Sequence, residues 1–475
     1  MANPFSLIVA GVDSGANLLD LPAPSATTTP YVDLGSLTLT LSGDGNGGSM
    51  QFDVIETKTP VAGPWWRSGG VYDNARVQFF DSRYSASTPL FLGYITGIDA
   101  KMLENGLGSR ATVTCEDADG WLQKTIIRNG TTGIRATSFV DSFTLGSSTS
   151  TDRDIINGLL ARVHTLVNDS TTRQILDTSV ISGSTRAVYT GSAQTIGKQI
   201  FKATTLQSAL DQVAEAAGGI ADVQYRYWID GDGRLNYGPK TAAPTYANAP
   251  AEIVTDPASV QTGSASTVTR LLARDLTVNL DHSDIVKGIF VQADSAYARY
   301  DNNQTWPTAP TNDPYFRTYT GTYSRNGAGL ASRNGPLPHE VFSAPKIVKK
   351  ADRGADIGSL ARATMTTRGK PVRTVSFTIA GGNLSQTSAP DWEYGYSQGY
   401  ALTAAATYTL VKAWLPGQYV KLTAPALDLS SAILYIPTVT MRFAQGGGSY
   451  QIEYEIQADF RRQYLKGLRG LIAGE

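Results

Sequence analysis

From Asn74 to Leu122 the chain alternates between apolar and polar positions with a period of two. Asn74–Asp81 and Pro89–Ala100 are predicted strands separated by the polar turn Ser82-Arg-Tyr-Ser85, and Leu103–Gly108 reverses the chain into Ser109–Glu116. In that last run Ala111, Val113 and Cys115 share one face, the signature of a half-buried antiparallel strand. The pattern extends upstream. Phe5–Ala10 is apolar, Ser36–Ser42 puts Leu37, Leu39 and Leu41 on one face, and the loop Gly43–Gly48 turns it back into Ser49–Ile55. Together these strands predict a small antiparallel barrel over residues 1–122, an arrangement that leaves few open sheet edges.

From 123 to 199 the period lengthens. Ile155, Ile156, Leu159, Leu160, Val163, Leu166 and Val167 follow helical spacing. Thr151 stands at the N-cap, with Asp152 and Asp154 in the first turn. The expectation is an inserted, partly helical domain. A second helix, Thr205–Gly219, carries apolar Leu206, Leu210 and Val213 and leads into a hairpin, Val223–Tyr237, turning at Gly231-Asp-Gly233. Residues 200–240 therefore read as a helix-plus-hairpin connector.

Two strands, Leu276–Leu280 and Ile285–Gln292, and a short helix over Asp356–Arg368 mark 241–369 as an α+β region, with a Tyr-, Asn- and Pro-rich surface excursion at 295–345. Strands at Val372–Ile379, Gly417–Leu422, Ala432–Phe443 and Tyr450–Ile456 predict a second barrel over 370–460. The tail 461–475 is basic. Its Tyr464, Leu465, Leu468, Leu471 and Ile472 have helical spacing, yet two glycines weaken the helix, so docking on a neighbour and fraying are equal readings.

Composition agrees with a mainly β chain. At 475 residues, and roughly 100 to 200 residues per domain, three or four domains are expected. Charged residues make up only 17%, beside 47 Gly and 23 Tyr, which suits turn-rich β structure with weakly charged faces. Forty Lys and Arg against 41 Asp and Glu leave a net charge of −1, giving no global attraction to nucleic acid or an anionic membrane. The single cysteine, Cys115, excludes an intrachain disulfide and a cysteine-based zinc site, and its place in an alternating strand makes it a packing residue. No basic secretory leader and no run of about 20 apolar residues are present, so the chain is expected to fold in a cytoplasm.

The motifs that touch chemistry resolve into ordinary structure. Asp13-Ser-Gly15 has the letters of an aspartic-protease turn but no second copy, so it reads as a polar turn. Gly43-x-Gly45-x-x-Gly48 lacks the helix that would hold a pyrophosphate, and the phosphate-loop-like run Gly191–Lys198 has Gln199 where a magnesium ligand is needed. Asp230-Gly-Asp232-Gly begins like a calcium loop but would place Thr241 at its twelfth position. His164, His282 and His339 show no metal spacing, and Glu453 and Glu455 on one strand read as a solvated face rather than a glycosidase pair. No catalytic, cofactor-binding or metal-ligating residue is assigned. Trp65 and Trp66, with Tyr72 nearby, read equally as a loop folded on its own barrel and as an interface.

Three blocks carry a resemblance. Leu90-Phe-Leu-Gly-Tyr-Ile-Thr-Gly97 followed by Ala111-Thr-Val-Thr-Cys-Glu-Asp-Ala-Asp-Gly-Trp-Leu122 resembles the first barrel of the tail hub, or baseplate hub, proteins of tailed bacteriophages. Leu206-x-x-Ala-Leu-x-x-Val-Ala214 with Tyr227-Trp-Ile-Asp-Gly-Asp-Gly-Arg-Leu-Asn-Tyr-Gly238 is similar to the helix and hairpin joining the two hub barrels. Leu415-Pro-Gly-Gln-Tyr-Val-Lys-Leu422, Tyr435-Ile-Pro-Thr-Val-Thr-Met441 and Gly446-Gly-Gly-Ser-Tyr-Gln-Ile-Glu-Tyr454 look like the second barrel.

The resemblance implies a fold of two tube-like barrels with inserted domains, and a non-enzymatic virion protein at the tail tip. It implies a homotrimer whose six barrels form a pseudo-sixfold ring around a channel for DNA. The implied partners are the tail tube or distal tail protein, the tape measure protein and a central fibre or spike. The reading of a different class is a carbohydrate-binding or carbohydrate-cleaving tail-tip protein, motivated by Trp65, Trp66 and the 295–335 segment.

Overall fold

The computed structural model describes residues 5–9, 31–43, 47–56, 75–81, 87–103, 108–127, 142–167, 175–202, 204–221, 225–239, 252–255, 270–281, 288–293, 296–301, 316–318, 339–344, 372–383, 416–427, 429–446 and 449–459. Its front portion contains β1 (Phe5–Val9), β2 (Tyr31–Ser42), β3 (Ser49–Glu56), β4 (Arg76–Asp81), β5 (Phe91–Met102) and β6 (Ser109–Asp117), then helix α1 (Ala118–Lys124). Next come β7 (Ile126–Ile127), β8 (Ser142–Leu145), helix α2 (Asp152–Val167), β9 (Val188–Tyr189), β10 (Gln199–Lys202), β11 (Thr204–Thr205) and helix α3 (Leu206–Ala221). The hairpin β12 (Tyr225–Ile229) and β13 (Leu235–Pro239) precedes β14 (Glu252–Val254), β15 (Arg270–Leu272), β16 (Arg274–Asp281), β17 (Gly288–Ala293), β18 (Ala296–Asp301), β19 (Phe316–Thr318) and β20 (His339–Ala344). The chain closes with β21 (Val372–Asn383), β22 (Tyr419–Ala424), β23 (Leu429–Gly446) and β24 (Ser449–Asp459).

The fold is mainly β. Among the described residues one 13-stranded sheet runs β1-β4-β5-β6-β3-β2-β23-β22-β14-β15, with β24, β21 and β16 branching from β23. The predicted alternation becomes its buried face: Phe5, Leu7 and Val9; Leu37 and Leu39; Met50, Phe52 and Val54; and Ala111, Val113 and Cys115 are all removed from solvent. Burial also pushes the Cys115 thiol pKa up, as expected for a packing residue. The opposite face carries Thr40, Ser49, Gln51, Thr112 and Thr114, so each strand separates core from polar surface residue by residue.

Front and back strands meet in one ladder. β2 pairs antiparallel with β23 from Thr38↔Arg442 to Ser42↔Thr438, and the Thr40 and Thr440 hydroxyls lie 3.2 Å apart. Besides β24, β23 pairs two strands in succession, β22 over its first half and β2 over its second. Pro437 sits at the changeover, where its carbonyl accepts from Gly43 N at 2.9 Å and its missing N–H costs the ladder nothing. Phe443 completes the seam by packing edge-on against Phe5 (5.1 Å) and Phe79 (6.1 Å), which stack on each other at 5.7 Å.

The chain divides into two units, Met1–Val213 with Tyr225–Thr277 and Val375–Ala458, and Ala214–Gln224 with Val278–Thr374 and Asp459–Glu475. The second unit contains a four-stranded mixed sheet, β19-β18-β17-β20. Three of its strands, β18, β19 and β20, fall within the segment 295–345 expected as a surface excursion. Their low aliphatic content conceals them from a pattern search. The expected helix at Asp356–Arg368 and the basic tail 461–475 lie outside the described residues.

Candidate functional site

The densest polar arrangement lies where the front sheet meets the connector, at helix α1. β6 ends in Glu116-Asp117, and Asp117 caps α1 by accepting from Gly120 N at 3.1 Å. The same carboxylate accepts from Gly48 N, while Asp117 N donates to Gly48 O at 3.1 Å, so it staples the β2–β3 hairpin tip to the helix start. Gly48 has no room for a side chain: a Cβ there would stand 2.5 Å from Thr40 O. Two residues on, the buried Asp119 accepts from Ile229 N at 2.8 Å and draws in strand β12. One short helix thus holds two distant elements through two acids.

An apolar cluster of Leu92, Tyr94, Ala118 and Ile175 surrounds the joint, with Trp121 and Ile229 packed against it. Trp121 meets the Tyr94 ring edge-on at 5.1 Å. The Tyr94 hydroxyl and Lys124 Nζ both donate to Glu116 Oε2 at 2.6 Å, and Lys124 lies over the Tyr94 ring. Burial and the bond to Glu116 raise the Tyr94 pKa to about 12, and the bonds from Lys124 and Tyr94 hold Glu116 below the usual carboxylate range. Burial raises Asp117 to about 6. Asp119 is raised as well, through burial and then the neighbouring charge of Asp117.

The β12–β13 hairpin also reaches the segment that leads into β5. Its turn is built by Asp230, whose carboxylate accepts from Asp232 N, Arg234 N and Asn236 Nδ2. All three bonds stay within the hairpin, so Asp230 works as a turn residue. Gly231 lies against Pro89, where a Cβ would fall 2.1 Å from the carbonyl oxygen, and Gly233 adopts φ +80°. Asp177 N donates to Gly233 O at 2.7 Å, and Arg234 binds Ser179 O at 2.9 Å and Asp177 Oδ2 at 2.7 Å. A polar cleft of about 220 Å³ remains between Arg76, Gln78, Pro89, Asp177 and Asp232. The arrangement joins β6, α1, β12 and the β2–β3 hairpin.

The sequence candidates among the described residues fall on separate elements. Gly43 and Gly48 flank the β2–β3 tip, and Gly191–Lys198 forms a loop before β10. His164 belongs to α2, His339 to β20, and Glu453 and Glu455 to β24. Asp13-Ser-Gly15, Trp65, Trp66, Tyr72 and His282 lie outside the described residues. Among the described residues no group of three or more His, Cys, Asp or Glu could hold a metal ion, and no helix is long and apolar enough to cross a membrane. Helix α1 itself escaped the sequence reading, which ended the strand at Glu116 and assigned no helix to the residues that follow. The Asp117 cap followed by Ala118-Asp-Gly was the available signal.

The fold is shared with solved structures of tail proteins, one of them from a prophage. The chain is similar to the tail protein from Neisseria meningitidis MC58, at 12% identity and a TM-score of 0.50 over 95% of this chain and 96% of that one. It is similar also to the prophage MuSo2 43 kDa tail protein from Shewanella oneidensis, at 10% identity and a TM-score of 0.52 over 96% and 97%. No family model and no curated protein matches the chain. At these identities the likeness is one of fold.

Proposed function

We propose that the protein is a non-enzymatic structural component of a phage tail, namely the hub at the tip of the tail tube. The observation that carries this reading is likeness of fold to two phage tail proteins over nearly the whole of all three chains. In this reading residues 1–122 and 370–460 supply two barrels, 123–199 and 241–369 are inserted regions, 200–240 is the connector and 461–475 a docking tail. Three copies place six barrels in a ring that seats on the tube and its distal tail protein, meets the tape measure protein, carries the central fibre or spike and lets DNA pass. The β2–β23 ladder supports it, because two barrels in one subunit must keep a fixed spacing to imitate two neighbouring tube subunits.

The test is light scattering and electron microscopy of the purified chain, alone and with tube protein, together with labelling of virions at this chain. A trimeric ring with a central hole and label at the tail tip are expected. A monomer that persists beside tube protein, or label elsewhere on the particle, overturns the proposal.

A further inference from the structure

The α1 joint has a property that the tail reading neither uses nor requires. Asp117 and Asp119 sit two residues apart at the start of one helix, and each holds a different element by its backbone: Asp117 the hairpin tip at Gly48, Asp119 the strand β12 at Ile229. The only donors to their carboxylates among the described residues are backbone N–H groups. The charges that face them are mostly of their own sign. Glu116 comes from β6 and already holds Lys124 of α1 and the Tyr94 hydroxyl of β5. From β12 the Tyr227 hydroxyl donates to Asp211 Oδ1 of α3 at 2.6 Å, placing a further acid behind that tyrosine. Asp119 is 6% exposed, within apolar surroundings of Ala118, Ile175 and Ile229.

Two such carboxylates cannot both be ionised there without cost, since each sheds its water and repels the other. We propose that the joint is a proton-operated latch, in which a proton held by the Asp117–Asp119 pair closes α1 onto the hairpin tip and β12, and its loss loosens both. The sign follows from the direction of the shifts. Both acids are raised in the closed joint, so closure is favoured at low pH and weakens as pH climbs through about 6, the value for Asp117. If the opened joint returns Asp117 to 3.8, the closed-to-open ratio falls by about a hundredfold over that span. The effect travels outward because the tip that Asp117 holds also touches the β23 side: Gly43 N binds Pro437 O.

The test is amide hydrogen exchange of the full chain, read by mass spectrometry on peptides covering residues 47–56 and 225–231 between pH 4.5 and 8, corrected for the intrinsic rate. Protection of both peptides is expected to drop together, at least tenfold, as pH rises through 6. The double variant Asp117→Asn with Asp119→Asn keeps acceptor oxygens for Gly48, Gly120 and Ile229 N and removes both charges, so it is expected to flatten that dependence while retaining protection. Glu116→Gln is the control and is expected to leave a clear pH step. Wild-type protection that is level across the range, or a step that survives in the double variant, overturns the proposal. So does a step abolished by Glu116→Gln alone. None of these readouts requires a ring or a tail, so failure of the hub reading and failure of the latch are separable.

Discussion

Phe443 is the residue whose loss best measures whether the front and back of the chain share one core. It comes from β23, is 2% exposed, and packs edge-on against both Phe5 of β1 and Phe79 of β4. Truncating a fully buried phenylalanine costs about 3–5 kcal/mol in transfer and cavity terms, and each well-oriented ring pair contributes about 0.5–1.5 kcal/mol beyond its area. Phe443→Ala is therefore expected to cost about 4 kcal/mol, and Phe5→Ala a similar amount. The double variant should cost less than their sum by about 1 kcal/mol, because the Phe5–Phe443 pair is lost once rather than twice. Urea unfolding of the four species, followed by intrinsic fluorescence, gives the cycle. Phe201→Ala serves as a control: it is 1% exposed and packs on Phe143 at 5.3 Å, so it should add to Phe443→Ala with no coupling. Additivity of Phe5→Ala and Phe443→Ala within about 0.3 kcal/mol would refute the shared core.

Gly233 holds φ +80°, and a Cβ there would lie 2.6 Å from Ile175 O; Gly233→Ala should lower the urea-unfolding stability by about 2 kcal/mol through strain and collision. Arg234→Ala removes the ties to Ser179 O, Ser179 Oγ and Asp177, costs about 1–3 kcal/mol, and should speed proteolytic cleavage within 175–181. Lys124→Met takes away the main cause of the lowered Glu116 pKa, which carbon NMR should register as a rise. Because folded Glu116 titrates below its ordinary range, its contribution is present above that range and disappears as pH falls through the folded value. Both partners are about half exposed (53% and 44%), so the pair contributes under about 1 kcal/mol after solvent screening.

Much of the fold is legible where the alternation is unbroken. β3, β6 and β22 fall within two residues of the ends their patterns predict, and α2 begins after Thr151 because Thr151 and Asp154 bond reciprocally there, Thr151 N donating to Asp154 Oδ2 at 2.9 Å. What was illegible has physical causes. β2 starts five residues before its visible pattern, since its register shifts between Asp33 and Thr38 and both Leu34 and Leu37 turn inward. In that bulge the Ser36 hydroxyl donates to Asp33 O and accepts from Asp53 N, and the second bond joins residues too far apart in sequence for a local pattern to reveal. The pairing of β2 with β23 was likewise hidden, because periodicity specifies which face of a strand is buried and not which strand lies beside it. The α1 joint was missed for the same reason. Asp119 looks like an ordinary first-turn acid until Ile229, 110 positions away, is found against it.

The ladder between Thr38–Ser42 and Thr438–Arg442 also bears on how the chain is made. Thr40 waits for Thr440, 400 residues later, before its strand gains that neighbour. At ribosomal speeds of about 5–20 residues per second, that wait is about 20–80 seconds, during which β2 presents an open backbone flank to its surroundings. Other nascent chains have the same interval in which to pair with it. Expression yield should therefore respond to elongation rate and to chaperones that shield extended strands, and a front fragment ending before β23 should aggregate where the whole polypeptide stays dispersed.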